Sequence, residues 1–160
     1  MRMEMIRLEH VTKSFGRYKA LDDVSIVVEE GELLTVIGRS GCGKTTLLNI
    51  LAGFDAPDAG TVTLEGRPCA GPGPDRAVVF QEPALFPWLT VKKNVKFGLK
   101  LRGVKEPELS AIADKYIRLV GLEEFGDSYP KELSGGMKQR VAIATALVSE
   151  RKILVLDEPT

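Results

Sequence analysis

Residues 38–46 read GRSGCGKTT and lie between two apolar runs, LLTVI at 33–37 and LLNIL at 47–51. The first run predicts a short buried strand that leads into Gly38, and the second predicts a helix that stops at Gly53. The glycine stretch fits the pattern G-x-x-x-x-G-K-[ST], which requires a strand before it and a helix after it. Glycines let backbone N–H groups turn inward around a phosphate, and the helix start adds partial positive charge. The stretch therefore predicts a phosphate-binding loop.

The polar groups of this loop suit a nucleoside triphosphate with its metal ion. Lys44 supplies a full positive charge for the β and γ phosphates, and Thr45 offers a hydroxyl to Mg²⁺. Cys42 lies inside the predicted phosphate nest, so we expect its alkylation to block nucleotide binding. The predicted nucleotide-binding residues of the loop are Gly38, Arg39, Ser40, Gly41, Cys42, Gly43, Lys44, Thr45 and Thr46.

Composition narrows the class of protein. The chain has 160 residues, of which 44% are hydrophobic, and this is enough for one packed domain. Lys plus Arg and Asp plus Glu both total 22, so the charge balance gives no reason to expect a nucleic-acid partner. Two cysteines are too few for a disulfide framework, and no run of about 18 apolar residues predicts a membrane span. We therefore expect a cytosolic protein.

Apolar periodicity predicts the other elements of the chain. Strands are predicted as a pair within 6–28 and singly at 60–66, 77–81 and 153–156, and helices at 91–102, 107–120 and 133–150.

The segment ILVLDEPT, residues 153–160, is a second candidate for phosphate chemistry. A buried strand that ends at Asp157 can place this carboxylate beside a metal ion held at the glycine loop. Glu158 can then orient or deprotonate an attacking water. Taken alone, an acidic pair after a strand is more often a helix cap or a surface turn. The phosphate-binding loop in the same chain favours the metal-site interpretation.

The segment LSGGMKQR, residues 133–140, opens another helix with anion-binding character. Ser134 is a preferred helix cap, and Gly135 and Gly136 leave the first N–H groups open. One nucleotide does not need two such helix starts. The second is therefore either an ordinary cap or a site for a nucleotide bound to another molecule.

At these residues the sequence closely resembles the ATP-binding subunits of ABC transporters. GRSGCGKTT is similar to the Walker A motif of that family, VVFQ at 78–81 to the Q-loop, LSGGMKQR to the signature motif and ILVLDEP to Walker B. Their order and spacing agree over nearly the whole chain. The resemblance implies an α/β fold, the ABC-type P-loop nucleotide-binding domain, with an antiparallel β part at its N-terminus. It also implies one truncated ATP-binding domain over residues 1–160, with a helical subdomain inserted at about 90–133.

The family resemblance also implies ligands and site residues. ATP and Mg²⁺ are the implied cofactors, and two subunits pair head to tail. In that pairing Ser134, Gly135 and Gly136 contact the γ phosphate that the partner binds. Phe15 is the implied adenine-stacking aromatic, and Tyr18 is a nearby competitor for that role.

Gln81 is implied to meet Mg²⁺ and the attacking water and to couple the subunit to a permease. The implied catalytic residues are thus Glu158, Gln81 and Lys44, and the implied metal ligands are Thr45, Gln81 and Asp157.

Residues 73–101 narrow the resemblance to the nitrate, sulfonate and taurine importer ATPases, in which a Pro and a Trp follow the Q-loop as Pro87 and Trp88 do here. This implies an importer of a small anion with a separate permease and periplasmic binding protein, and a peripheral location at the cytoplasmic face of the cell membrane. The solute itself is chosen by those other chains. Thr145 and Thr160 depart from the Arg and Phe that are common at these positions.

The family's D-loop, switch histidine and later core strands all follow Walker B, where this sequence stops. The single histidine, His10, precedes the glycine loop and is expected to be a surface strand residue. We therefore expect a fragment of a longer subunit, in which hydrolysis by residues 1–160 alone is doubtful. Two alternatives stay open, which are a soluble ABC ATPase that acts on ribosomes and a fragment that binds nucleotide without hydrolysis. A DNA-repair ATPase is disfavoured because the interval from Gln81 to Leu133 is too short for a long coiled coil.

Overall fold

The computed structural model describes residues 3–158. The chain divides into two compact units, Met1–Pro74 and Asp75–Thr160. The helices of the described residues are all too short or too polar to cross a membrane.

The first unit is built on a four-stranded antiparallel sheet. Strand β1 (Glu4–Phe15) and strand β2 (Tyr18–Glu29) form a hairpin, and β3 (Ala59–Leu64) pairs with the other side of β1. The short β4 (Arg67–Pro68) follows, so that the strand order is β2-β1-β3-β4. Apolar residues of β1, β2 and β3 are buried in the core, whereas both residues of β4 are exposed. The predicted strand pair and the predicted strand at 60–66 are confirmed.

The β1–β2 hairpin contains irregular pairing around His10. The register shifts between Leu8 and Val11, and both His10 (φ 52°) and Asp23 (φ 53°) adopt left-handed backbone conformations. The His10 Nδ1 atom lies 2.7 Å from Asp23 Oδ1, and the His10 side chain is 80% exposed. His10 is therefore a surface strand residue, as the sequence predicts.

Helix α1 (Lys44–Ala52) is the predicted helix after the glycine loop, and it ends at Gly53 (φ 81°). A Cβ atom at position 53 would lie 2.2 Å from the carbonyl carbon of Gly71, so packing as well as backbone conformation requires glycine there. The buried side chains of α1 are Leu47, Ile50, Leu51 and Ala52.

The predicted buried strand at 33–37 is wrong. Residues 32–39 have no regular secondary structure, and the side chains of Leu33 and Ile37 are 86% and 90% exposed. A strand of a parallel sheet is buried only when neighbouring strands and the layers on both faces cover it. None of the six strands within residues 3–158 pairs with this run. The apolar composition of residues 33–37 favours burial, but these side chains are exposed in this structure.

The second unit contains a parallel strand pair. Strand β5 (Arg76–Val79) and strand β6 (Ile153–Leu156) pair in register from Arg76 with Ile153 to Val79 with Leu156. The backbone N–H of Asp157 continues the ladder with a 2.9 Å bond to the Val79 carbonyl. Both strands were predicted from their apolar runs, and both are confirmed.

Three helices pack together in the same unit. They are α2 (Val91–Leu101), α3 (Glu108–Leu119) and α4 (Gly135–Leu147), with 3₁₀ turns at Glu123–Phe125 and Pro130–Glu132. One apolar cluster joins them, which confirms the predicted helical spacing. Its buried members are Val91, Val95, Leu99, Leu109, Ala113, Ile117, Leu122, Leu133, Val141, Ala144 and Val148.

Candidate functional site

The glycine loop has a backbone shape that only glycine adopts readily. Gly41 (φ 79°) and Gly43 (φ 98°) both lie in the left-handed region. A Cβ atom on Gly43 would lie 2.2 Å from the carbonyl oxygen of Ala20, at β2. Position 43 therefore needs glycine both for its conformation and for the close approach of the loop to the sheet.

The ammonium group of Lys44 lies over the glycine loop. Its Nζ donates to the carbonyls of Gly38 and Arg39 at 2.8 and 2.9 Å and lies 3.9 Å from the Cys42 sulfur. The Cys42 N–H closes a turn of the loop by donating to the Arg39 carbonyl at 3.2 Å. The first turn of α1 contains no acidic residue, so nothing on the helix itself opposes the partial positive charge of its start.

Three hydroxyl residues belong to the glycine loop and the first turn of α1. Thr45 is exposed in the first turn of α1, Thr46 beside it is half-buried, and Ser40 is exposed in the loop. Thr45 thus occupies a solvent-accessible position next to Lys44, where a hydroxyl can serve as a metal ligand.

Phe15 and Tyr18 face each other at the turn of the β1–β2 hairpin, and each side chain is 52% exposed. Their surroundings differ. The Tyr18 hydroxyl donates a hydrogen bond to the Gly41 carbonyl in the glycine loop. The Phe15 ring lies beside Lys13, whose Nζ is 5.5 Å from the ring centroid. The choice of adenine-stacking residue stays a prediction that favours Phe15.

Lys13 fixes the end of β1 to the chain that follows α1. Its Nζ donates to Asp55 Oδ1 and to the Ala56 carbonyl, both at 2.8 Å. The hydrogen bond between Lys13 and Asp55 raises the pKa of Lys13 and lowers the pKa of Asp55. Strand β1, which ends at Phe15, is therefore held to the segment that follows α1.

Gln81 and Glu158 meet in the second unit. Gln81 Nε2 donates to Glu158 Oε2 at 2.7 Å, and both residues are exposed. They lie just beyond the carboxyl ends of β5 and β6, whose parallel pairing places the two chain segments side by side. Asp157, the residue that joins β6 to Glu158, is half-buried. The carboxyl ends of parallel strands are the usual position of ligand sites in such sheets.

Ser134 caps α4 as predicted. Its Oγ accepts a hydrogen bond from the Met137 N–H at 3.2 Å, and its extended backbone (φ −67°, ψ 164°) is that of a helix cap. A Cβ atom on Gly135 or Gly136 would meet nothing within 4 Å. The chain's own packing therefore does not require these glycines, although alanine there would favour the helix by about 1 kcal/mol. An exposed helix start without side chains allows close approach by a ligand.

Two buried polar residues near the site were not anticipated. Gln139 is 5% exposed and donates Nε2 to the Phe80 carbonyl at 3.2 Å, which ties α4 to the segment before Gln81. Asn94 is 2% exposed, accepts from the Phe86 N–H at 2.9 Å and donates to carbonyls of the 86–90 segment. The available signal was a polar residue at helical spacing within an apolar face, where burial requires hydrogen bonds.

The Asn94 bonds hold an aromatic group at the surface. The Phe86 ring lies 5.6 Å from Trp88 and 4.5 Å from Phe97, centroid to centroid. Trp88 is 70% exposed, so it contributes little to the helical core. Exposed aromatic groups of this kind are typical of contact surfaces.

Thr145, the first departure from the importer pattern, is half-buried and donates its hydroxyl to the Val141 carbonyl at 2.9 Å within α4. Thr160, the second departure, lies outside the described residues.

The residues of the glycine loop fit the phosphates of a nucleoside triphosphate. Left-handed glycines shape a loop, Lys44 places a cation over it, and an exposed hydroxyl follows at the helix start. An acidic pair follows a parallel strand beside Gln81. These features define a P-loop nucleotide-binding protein of the α/β class.

Comparison with known proteins gives the family. Residues 21–160 match a family model described as ABC transporter. The chain is 54% identical over 158 residues to an uncharacterised ABC transporter ATP-binding protein of Methanocaldococcus jannaschii, covering 96% of this chain and 59% of that protein. It is 49% identical over 144 residues to the nitrate import ATP-binding protein NrtD of Synechocystis, covering 90% and 54%. The chain belongs to the ABC transporter family.

A solved structure supports the fold assignment. The ATP-binding cassette MJ0796, described as a dimer in a post-hydrolysis state bound to ADP and Pi, superposes with a TM-score of 0.87 at 34% identity. The alignment covers 98% of this chain and 75% of that one. The ABC-type nucleotide-binding fold is therefore confirmed. The chain spans about three fifths of the length of the first curated relatives.

Proposed function

We propose that this chain is part of the ATP-binding and ATP-hydrolysing subunit of an ABC importer for a small anion such as nitrate, a sulfonate or taurine. The observation that carries the proposal is the glycine loop with Lys44 Nζ held 2.8 Å from the Gly38 carbonyl at the start of α1. Two relatives support a small anion as the solute, because one is named a nitrate import ATP-binding protein, NrtD, and the other a bicarbonate transport ATP-binding protein, CmpC of Synechococcus elongatus. Within residues 1–160 we propose one ATP-binding domain, with residues of about 90–133 as an inserted helical subdomain.

The loop and the strand ends divide the chemistry between binding and hydrolysis. Backbone N–H groups of the loop and Lys44 bind the phosphates, and Phe15 stacks on the adenine. Bound Mg²⁺ would neutralise charge on the phosphate oxygens, and the family resemblance assigns Thr45, Asp157 and Gln81 as the residues that would hold it.

Glu158 accepts the proton of the attacking water, and Gln81 orients that carboxylate through the 2.7 Å bond between Nε2 and Oε2. Positioning of this kind accounts for most of what a protein contributes to phosphoryl transfer.

The remaining helix start has a function in a pair of subunits. Ser134, Gly135 and Gly136 contact the γ phosphate of the ATP that the partner subunit holds, in a head-to-tail dimer. The exposed glycines of α4 and the dimeric state named for the similar solved structure support this assignment. It explains why one chain has two phosphate-binding helix starts.

The partner in the membrane is a permease, which contacts the subunit around the Q-loop. The aromatic group of Phe86, Trp88 and Phe97 follows Gln81 in the chain and supports a contact surface there, because Trp88 and Phe97 are exposed and Phe86 is half-buried between them. A periplasmic binding protein acts on the other side of the permease, and the subunit lies peripherally at the cytoplasmic face of the membrane.

Phosphate release from ATP with Mg²⁺ tests this function. The parent chain and its Glu158→Gln variant are compared in the full subunit, together with Glu124→Gln, which alters an exposed carboxylate in a 3₁₀ turn. Loss of a general base lowers turnover about 100-fold or more while the Kd for ATP stays within about threefold. Phosphate release by Glu158→Gln at the parent rate would refute the catalytic assignment. Nucleotide binding without phosphate release by the parent would support the alternative of a protein that binds nucleotide without hydrolysis.

A further inference from the structure

Tyr18 makes a contact with the glycine loop that no part of the proposed mechanism uses. It begins β2, and its phenolic O–H donates to the Gly41 carbonyl. Phe15, its cross-strand neighbour, lies instead beside the ammonium of Lys13. The two aromatic residues of the hairpin therefore have different contacts, although the sequence left them as competitors for one function.

Gly41 is a residue of the loop that its neighbours do not confine sterically. It has φ 79°, and a Cβ atom there would meet nothing within 4 Å, so no neighbouring atoms confine it sterically. Glycine has more conformational freedom to lose than any other residue. A hydrogen bond to its carbonyl from outside the loop removes part of that freedom.

The Gly41 carbonyl and the Cys42 N–H belong to one peptide plane and point in opposite directions. Fixing the carbonyl therefore fixes the direction of the N–H. In this structure the Cys42 N–H donates to the Arg39 carbonyl at 3.2 Å, which closes the turn beneath Lys44. The Tyr18 hydroxyl thus binds the carbonyl end of the peptide group whose N–H end closes the turn of the glycine loop.

We propose that Tyr18 is a positioning residue of the phosphate loop. Its hydrogen bond to the Gly41 carbonyl fixes the peptide between Gly41 and Cys42 and so holds the turn that the Cys42 N–H closes. This proposal rests on the proposed function of the loop as a phosphate site. It predicts that loss of the Tyr18 hydroxyl weakens binding of the phosphates of a ligand, whereas loss of Phe15, the proposed adenine-stacking residue, weakens only binding of the base.

Binding of two probes to the full chain separates the two functions. The probes are ATP and inorganic tripolyphosphate, which has the phosphates without a base. Tyr18→Phe keeps the ring and removes the hydroxyl, so it weakens both probes by the same factor of about five, the usual effect of one hydrogen bond. Phe15→Ala weakens ATP and leaves tripolyphosphate unchanged. A Tyr18→Phe effect confined to ATP would overturn the proposal and make Tyr18 a base contact.

Amide hydrogen exchange in the absence of ligand tests the contact without relying on nucleotide binding. Tyr18→Phe is expected to raise the exchange rate of the Cys42 amide about fivefold. Tyr116→Phe, which removes a hydroxyl from α3, is the matched control and leaves that rate unchanged. An unchanged Cys42 rate in Tyr18→Phe would refute the positioning role. If the parent binds neither probe while the exchange rate responds, the proposed nucleotide function fails and the loop contact stands.

Discussion

The side-chain amide of Gln81 donates a 2.7 Å hydrogen bond to the carboxylate of Glu158 across 77 residues of sequence. The bond depends on the parallel pairing of β5 and β6, which brings the residues after Val79 and after Leu156 to the same sheet edge. It joins the Q-loop and Walker B motifs through a direct contact between side chains. The bond therefore supports the proposal that Gln81 orients the Glu158 carboxylate, the group proposed to receive the proton.

Replacing Gln81 by Ala is expected to separate turnover from binding. Because the variant loses the donor that orients Glu158, kcat falls about 10-fold or more, while the Kd for ATP stays within about threefold. Steady-state phosphate release and equilibrium binding measure the two quantities. Glu82→Ala, at the exposed neighbouring position, is the control and keeps both. A parallel loss of binding and turnover in Gln81→Ala would argue against an orienting function.

Sequence periodicity predicted the strands and helices whose apolar faces are buried inside one unit. The helical spacing of Val141, Ala144 and Val148 corresponds to a face that is 0–1% exposed. The same logic failed at 33–37, because an apolar run states only that burial is favourable, while a strand also needs a hydrogen-bonding neighbour. Neighbours are a property of tertiary structure.

The candidate site was predictable as a set of motifs and not as a set of contacts. The glycine loop is local in sequence, so its residues and the helix after it could be derived from their order. The bonds from Tyr18 to Gly41 and from Gln139 to Phe80 join distant segments. Spacing along the chain does not encode such pairs, so the partner of the Gln139 amide becomes visible only in the folded unit.

Alkylation of Cys42 is expected to abolish ATP binding. The thiol is exposed in the loop and lies 3.9 Å from Lys44 Nζ, so an added group occupies the space where phosphates bind. Cys69→Ser leaves Cys42 as the only thiol, and Cys42→Ser leaves the half-buried Cys69 as the matched control. Binding is measured after complete modification, checked by mass. An unaltered ATP affinity in fully modified Cys69→Ser would contradict the placement of Cys42 in the phosphate site.

Leu122→Ala tests the helical cluster. Leu122 is 1% exposed within that core, so its truncation leaves a cavity that lowers the free energy of unfolding by about 2–5 kcal/mol. Leu119→Ala removes the same atoms from a side chain that is 67% exposed, and its effect stays within about 0.5 kcal/mol. Chemical denaturation of both variants gives the comparison. Equal losses would show that Leu122 is not buried as described.

Glu106 makes the stability of the helical unit depend on pH in the acidic range. Hydrogen bonds from Lys96 Nζ at 2.8 Å and from the Ser110 hydroxyl lower the pKa of Glu106 from 4.5 to about 2. A carboxyl group whose pKa is lower in the folded state stabilises the fold above its unfolded pKa. This contribution is therefore complete above about pH 4.5 and is lost as the pH falls toward 2.

Glu106→Gln is expected to flatten the decline of stability between pH 4.5 and 2. The denaturation midpoint measured across this range gives the slope. Glu108→Gln, which alters an exposed carboxylate in the first turn of α3, serves as the control. The same slope in Glu106→Gln and in the parent would mean that the Lys96 and Ser110 bonds do not persist in solution.

Equilibrium binding of ATP to the parent and to Lys44→Ala tests the central claim most directly, with Lys19→Ala, an exposed lysine paired to Asp22, as the matched control. Hydrogen bonds to charged groups contribute about 1.5–3 kcal/mol, so loss of the Lys44 ammonium weakens ATP binding about 10- to 100-fold. The account predicts this loss in Lys44→Ala and an unchanged Kd in Lys19→Ala. Equal ATP affinity in the parent and in Lys44→Ala would contradict the assignment of residues 38–46 as the phosphate-binding loop.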